Sequence, residues 1–288
     1  MKPAVFAYHR PTSIDNVIAL LDQYGFDAKV IAGGQSLAPM MNMRFAQPAQ
    51  LVDLNGVREL AEIARRGDTL VVGALARHHD VATSALVREV CPLLAEAAAT
   101  VGHYAIRQRG TLGGSLAHAD PAAQLPLVAV TLGARIQVAG PRGTREIAAS
   151  DFTLGTMTTA LDPEEIITAV HFPCRGVNEA HGFELFSRRH GDFAIAACAV
   201  TTVVTDGRLA ALRIGVGGVG DVPVALDAVA APFIGAAADG QTCARIAQDV
   251  AAAVEVADDP RIGAAYRREL VETLCARGLA RACNGSAT

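Results

Sequence analysis

Apolar positions in the first fifty residues alternate between two periods. Residues 5–8 read as a strand. Behind Pro11-Thr12-Ser13, the residues Ile14, Val17, Leu20 and Leu21 recur at helical spacing and stop near Gly25. Residues 29–32 form a short apolar run that leads directly into Gly33-Gly34. Ser36 stands where an N-cap belongs for a helix over 37–44, with Pro39 tolerated in its first turn. Residues 51–54 give another strand, and this β-α-β-α-β unit closes near Asn55-Gly56.

The pattern then changes. Residues 62–65 and 69–72 form a hairpin around Gly67-Asp68, and 80–88 and 92–100 carry helical spacing. A glycine-rich stretch runs from Gly110 to Asp120. Asp120-Pro121 has the form of an N-cap and first helical residue for a helix reaching Leu132. A second hairpin, 134–139 with 144–149, turns at Pro141-Arg142-Gly143, and 166–172 is a closing strand. Beyond 173–178 come three strands, 183–189, 194–204 and 209–215, the last two joined at Asp206-Gly207. Alanine-rich helical periodicity follows from Val224 to about Ala282, then a polar tail over 285–288. Strand runs followed by helix runs predict an α+β fold in three units, 1–55, 56–175 and 178–288.

Composition narrows the function. The 288 residues are 51% hydrophobic and 19% charged with net charge −4, so no basic field draws the chain to nucleic acid. No apolar run reaches the length of a membrane span and the start lacks a signal-peptide stretch, so a cytoplasmic protein is expected. The six cysteines, at 91, 174, 198, 243, 275 and 283, form no C-x-x-C pair and no zinc-like spacing. They read as ordinary thiols, and any iron–sulfur cluster serving this protein belongs to another chain. His78-His79 are adjacent, so their side chains diverge. A solvated or capping role is expected there rather than metal binding.

The chemistry-bearing signal is Ala32-Gly33-Gly34-Gln35-Ser36, leaving a strand and entering a helix at Leu37. Adjacent glycines admit positive φ and close backbone approach. Successive N–H groups at a helix N-terminus make a nest for anionic oxygens, which Ser36 reinforces. Taken alone, the pair is as well explained by a tight turn. A second copy, Thr111-Leu112-Gly113-Gly114-Ser115, suggests that two loops grip the two phosphates of a dinucleotide, with two unrelated turns as the alternative. Gly215-Val216-Gly217-Gly218-Val219-Gly220 matches G-x-G-x-x-G, but Asp221-Val222-Pro223 follows where a helix should open, so it reads as a strand end and loop. Gly34-Gln35-Ser36-Leu37-Ala38 lacks the second glycine of a nucleophile elbow.

The chain resembles the FAD-binding medium subunit of the molybdenum hydroxylases, the family of carbon monoxide dehydrogenase, xanthine dehydrogenase and the nicotine and quinoline hydroxylases. The resemblance is carried by 32–37, by Ile106-Arg107-Gln108-Arg109-Gly110 running into 111–115, by Ala119-Asp120-Pro121 with Leu125-Pro126, and by 187–194. It implies a vanillyl-alcohol-oxidase-type FAD fold of two subdomains plus a C-terminal domain. It implies non-covalent FAD with its diphosphate at 32–36 and 111–115, and contacts from Leu37, Asp120, Gln124, Leu161, Asp192 and Phe193. No catalytic residue and no metal ligand are expected on this chain. Implied partners are a small subunit with two [2Fe–2S] clusters and a large subunit with molybdopterin, assembled as a dimer of heterotrimers.

Two positions depart from the family pattern. Phe193 stands where relatives usually carry tyrosine near the flavin, and it reads alternatively as a core aromatic. Gln124 stands where relatives often carry an acid, and it can serve as a ribose acceptor. For Asp120, helix capping competes with cofactor contact. Arg107 and Arg109 face FAD, the cluster-bearing subunit or surface ion pairs, and Tyr104 the flavin or the core. The segments around His118 and 186–192 look nearest to the N-heterocycle hydroxylases. The alternatives are a stand-alone FAD oxidoreductase and a non-catalytic nucleotide-binding or assembly module.

Overall fold

The computed structural model describes residues 2–258 and 262–285. The first unit runs β1 (Ala7–His9), α1 (Ile14–Tyr24), β2 (Ala28–Ile31), α2 (Leu37–Asn42) and β3 (Gln50–Asp53). Its three strands are parallel in the order β1-β3-β2. Ser13 caps α1 by accepting from the Asn16 amide, and Gly25 ends it at φ +50°. Val17 and Leu21 of α1 pack on Val52, Leu54 and Leu75.

The second unit comprises β4 (Ile63–Arg66), β5 (Thr69–Gly73), α3 (His78–Thr83), α4 (Ala85–Val90), α5 (Pro92–Thr100), α6 (Tyr104–Arg107), α7 (Leu112–His118), α8 (Gln124–Leu132), β6 (Arg135–Gly140), β7 (Gly143–Ala148), α9 (Ala149–Phe152), β8 (Thr153–Gly155), β9 (Thr158–Thr159) and β10 (Ile166–Pro173). Five of the strands form an antiparallel sheet in the order β4-β5-β10-β6-β7.

Three expectations are corrected here. The helical spacing over 80–88 is two helices broken at Ser84, whose hydroxyl accepts from the Val87 amide and starts α4. The glycine-rich stretch after Gly110 is a helix, because Thr111 caps it. Asp120 does not cap the next helix, which starts at Gln124. Its Oδ1 instead accepts from the Ala122 amide at 2.8 Å, closing a turn behind Ala119 at φ +51°.

The C-terminal part has β11 (Glu179–Phe186), β12 (Ala196–Thr205), β13 (Arg208–Gly217) and β14 (Val224–Ala225) in one antiparallel sheet. It continues with α10 (Asp227–Ala230), α11 (Gly240–Ala253) and α12 (Ala264–Gly285). One face of this sheet carries Cys198, Val200 and Ile214 into a core with α11 and α12. The other face brings Phe183, Ala197 and Ala199 into the core of the second unit. All nine residues of α8 are therefore buried between two sheets. The second and C-terminal parts share one hydrophobic interior. Most of the predicted polar tail, 286–288, lies outside the described residues.

Candidate functional site

The two glycine loops meet. A Cβ on Gly33 would lie 2.2 Å from the Arg109 carbonyl oxygen and 2.8 Å from the Gly110 Cα. Glycine is required at 33 because the backbones touch, while positive φ is found at Gly34, at +70°. Ser36 precedes α2 but makes no capping hydrogen bond. Among the described residues, nothing accepts from the amides of residues 33–37, and the Gln35 side chain turns back onto the Gly33 carbonyl at 2.9 Å. A short row of N–H groups with a free hydroxyl therefore stands at a helix start, the arrangement that binds anionic oxygens.

The second loop is built differently. Thr111 is buried, and its Oγ1 accepts from the Gly114 amide at 3.0 Å. The Gly113 amide donates to the Ala74 carbonyl at 2.9 Å, and the Ser115 amide to the Thr111 carbonyl at 3.0 Å. A Cβ on Gly113 would sit 2.6 Å from the Ala74 Cβ. Gly113-Gly114 is thus no bare amide nest. Its backbone donors are spent on capping and packing, and Ser115 is the polar group left at its surface.

His78 governs that serine. The expectation of a solvated or capping histidine is overturned: the ring is 4% exposed, with Nε2 2.9 Å from both the Thr111 carbonyl and the Ser115 Oγ. Burial, outweighing the Thr111 hydrogen bond and helped by the nearby Arg107 and Arg77 charges, pushes its pKa down to about 4. Neutral at physiological pH, the ring donates from Nε2 to these two oxygens and leaves Nδ1 buried without a partner. Ser115 then keeps its own proton to donate to a ligand.

A relay that the sequence did not reveal ties the first loop to the second. Asn55 donates through Nδ2 to the Ala32 carbonyl at 2.8 Å, and its Oδ1 accepts from Arg77 Nη2 at 2.5 Å. Arg77 Nη1 donates to the Arg109 carbonyl. Asp53 holds Asn55 from behind and itself accepts from the Tyr8 hydroxyl. Burial would raise the Asp53 pKa, but the hydrogen bonds from Tyr8 and Asn55 prevail and lower it. The strand-exit run Gly73-Ala74-Leu75-Ala76-Arg77-His78 is the available signal for Arg77, but nothing in it distinguishes that side chain from a surface one.

Gly191 lies against the His103 ring, next to the segment that leads into the second loop. Phe193 is 71% exposed, so it is not a core aromatic, and Tyr104 is 63% exposed with an edge contact to His79. The Arg107 guanidinium donates to the Val101 and Gly102 carbonyls, so it staples its own loop rather than forming a surface ion pair. The Pro121 carbonyl accepts from the Gly218 amide and the Ala119 carbonyl from Met157, joining the Asp120 turn to two other loops. The G-x-G-x-x-G run thereby ends β13 and braces this turn, with no helix opening after it. Gln124 is buried at the start of α8, Leu161 is half-buried on the central core, and Asp192 is exposed in the same turn as Phe193. No group of three or more metal-ligating side chains occurs among the described residues.

The chain matches the FAD-binding domain of molybdopterin dehydrogenases over residues 4–175 and the CO dehydrogenase flavoprotein C-terminal domain over 181–282. It belongs to this family of FAD-containing medium subunits of molybdenum-dependent oxidoreductases, which agrees with the α+β fold and the FAD expected from the sequence. It is 36% identical over 283 residues to 6-hydroxypseudooxynicotine dehydrogenase complex subunit alpha from Paenarthrobacter nicotinovorans, covering 98% of this chain and 96% of that one. It is 35% identical to the carbon monoxide dehydrogenase medium chain of Hydrogenophaga pseudoflava, covering 97% of each. Quinoline 2-oxidoreductase from Pseudomonas putida 86 superposes with a TM-score of 0.96 at 35% identity, covering 100% of both chains.

Proposed function

We propose that FAD lies with its diphosphate between residues 32–36 and Ser115, and with its flavin ring toward Phe193 and Tyr104. The observation that carries this reading is the unpaired row of amides at 33–37, set against the carbonyl of Arg109. These residues fit the group: an uncapped helix start and two hydroxyls suit phosphate oxygens, and an exposed phenylalanine offers a face for a flat ring. Asp120, Gln124, Leu161 and Asp192 complete the expected contacts, with Gln124 as a neutral acceptor for a ribose hydroxyl. When bound, FAD supplies the ability to take electrons singly and release them in pairs.

In this reading the chain is the electron exit of a larger complex. A small subunit with [2Fe–2S] clusters delivers electrons to this chain, and a large molybdopterin subunit oxidises the organic substrate, an N-heterocycle by the resemblance around His118 and 186–192. The complex is a dimer of heterotrimers. Among the described residues no helix is long and apolar enough to cross a membrane, and the thiols are free, which suits the reducing cytoplasm. The chain's own part is to hold FAD and to exclude water from one face of it. The test is an absorption spectrum of the chain purified with and without co-expressed partners, followed by acid release of the chromophore. Flavin bands with released FAD, and iron–sulfur and molybdenum signals only with partners, are expected. A colourless chain that takes up no FAD even with partners would sink the reading.

A further inference from the structure

The residues that touch a ligand are not the ones that set the distance between the two loops. Arg77 and Asn55 do that, through hydrogen bonds to the backbone carbonyls of Arg109 and Ala32. One Arg77 terminal nitrogen donates to the Arg109 carbonyl and the other to Asn55 Oδ1 at 2.5 Å. Asn55 is spent on Ala32, at 2.8 Å, and on Asp53. The Arg77 backbone is itself bridged to Thr111, so the residue is fixed to the second loop at both ends of its side chain. The next residue, His78, holds Thr111 and Ser115. The path from the Ala32 carbonyl through Asn55 and Arg77 to the Arg109 carbonyl runs alongside the direct contact of Gly33 with Gly110.

We propose that Asn55 and Arg77 form a clasp that fixes the spacing of the two glycine loops and so selects ligands whose diphosphate spans both over ligands with a single phosphate. The inference rests on the diphosphate site proposed above. A guanidinium is suited to the role because its planar donors hold two acceptors at a fixed separation. Both residues are positioning residues, acting through the carbonyls of Ala32 and Arg109.

The test uses the full chain freed of flavin and titrated with FAD, ADP, FMN and AMP. Arg77→Met and Asn55→Asp should each weaken FAD and ADP by about tenfold or more, as expected for releasing a preorganised site, and leave FMN and AMP within about threefold. The double variant should be no weaker than the worse single one by more than about threefold, since both changes open one path. Asn55→Asp keeps the Arg77 contact while replacing the donor to Ala32 and Asp53 by an oxygen that repels both, so it carries the test should Arg77→Met not fold. Equal losses for all four ligands, or unchanged FAD affinity, overturn the clasp. Ser36→Asp is the control for the site itself. If it leaves FAD binding intact, the diphosphate placement fails and the clasp with it. If it expels FAD while the clasp variants do not discriminate, the clasp alone fails.

Discussion

The first glycine pair offers backbone donors that nothing among the described residues uses, whereas the second has used its own on Thr111 and Ala74. Gly33-Gly34 and Gly113-Gly114 look interchangeable in the sequence. In the fold one is an open turn before an uncapped helix and the other is the first turn of a capped helix buried against β5. A repeated motif therefore need not mean a repeated contact. Here the first copy presents amides, and the second presents a serine hydroxyl on a rigid platform.

The comparison breaks most visibly at Gly113. Valine there would drive a side chain into Ala74, and overpacking of this kind should cost about 3 kcal/mol or more in the urea stability of the flavin-free chain. Gly34→Val meets only the flexible end of Ile31, at 3.3 Å, and bears the strain of positive φ, about 1–2 kcal/mol. Denaturation midpoints for the two variants decide the matter. Equal losses would mean that the second pair is not a packing device.

His78 sharpens the difference through pH. Its pKa is about 4 in the fold against 6.5 when unfolded, so the unfolded chain binds more protons between those values. The stability it contributes above pH 6.5 is lost as pH falls toward 4, by about 3 kcal/mol. The Arg77 and Arg107 charges beside the ring act in the same direction. His78→Gln should flatten this part of the stability profile. An unchanged slope would show that the ring is not held neutral beneath the second loop.

Ser36→Asp separates binding from folding at the first loop. A carboxylate at a helix start is stabilising by about 0.3–1 kcal/mol, yet it places a negative charge where phosphate is expected. The melting temperature of the flavin-free chain should hold or rise while FAD affinity falls about a hundredfold, roughly 2.7 kcal/mol. Retained affinity would remove the phosphate from this loop.

What the sequence could disclose follows from what each feature depends on. The strand leading into Gly33-Gly34 and the helix after Ser13 were legible because their apolar spacing and caps are local. The helix at Leu112 was hidden by its glycines, since its start depends on one buried threonine. The break at Ser84 was hidden because apolar residues recur on both sides of it. Asn55, Arg77 and His78 were illegible as site residues because their roles depend on partners 22 to 37 positions away. That Phe193 would be exposed could not be read from a strand-like run, because it stands in the turn before β12.

The smallest effect expected is at Phe193. The ring is 71% exposed beside a turn whose Gly191 is pressed against His103, so its position is set by backbone and not by burial. Phe193→Tyr adds a hydroxyl at the rim of an exposed ring and removes nothing. FAD affinity should therefore stay within about twofold, because no buried apolar area is lost. If the ring lies against the flavin, the new hydroxyl changes the polarity at its edge, and the flavin absorption maxima or midpoint potential should shift. The spectrum of the FAD-loaded variant checks this against wild type, with Phe186→Tyr as a control on an aromatic 37% exposed that packs edge-on to Tyr266. A shift confined to the Phe193 variant would fix the ring end of the cofactor at the 187–193 turn. Identical spectra for both would move the flavin elsewhere and leave only the phosphate end to the glycine loops.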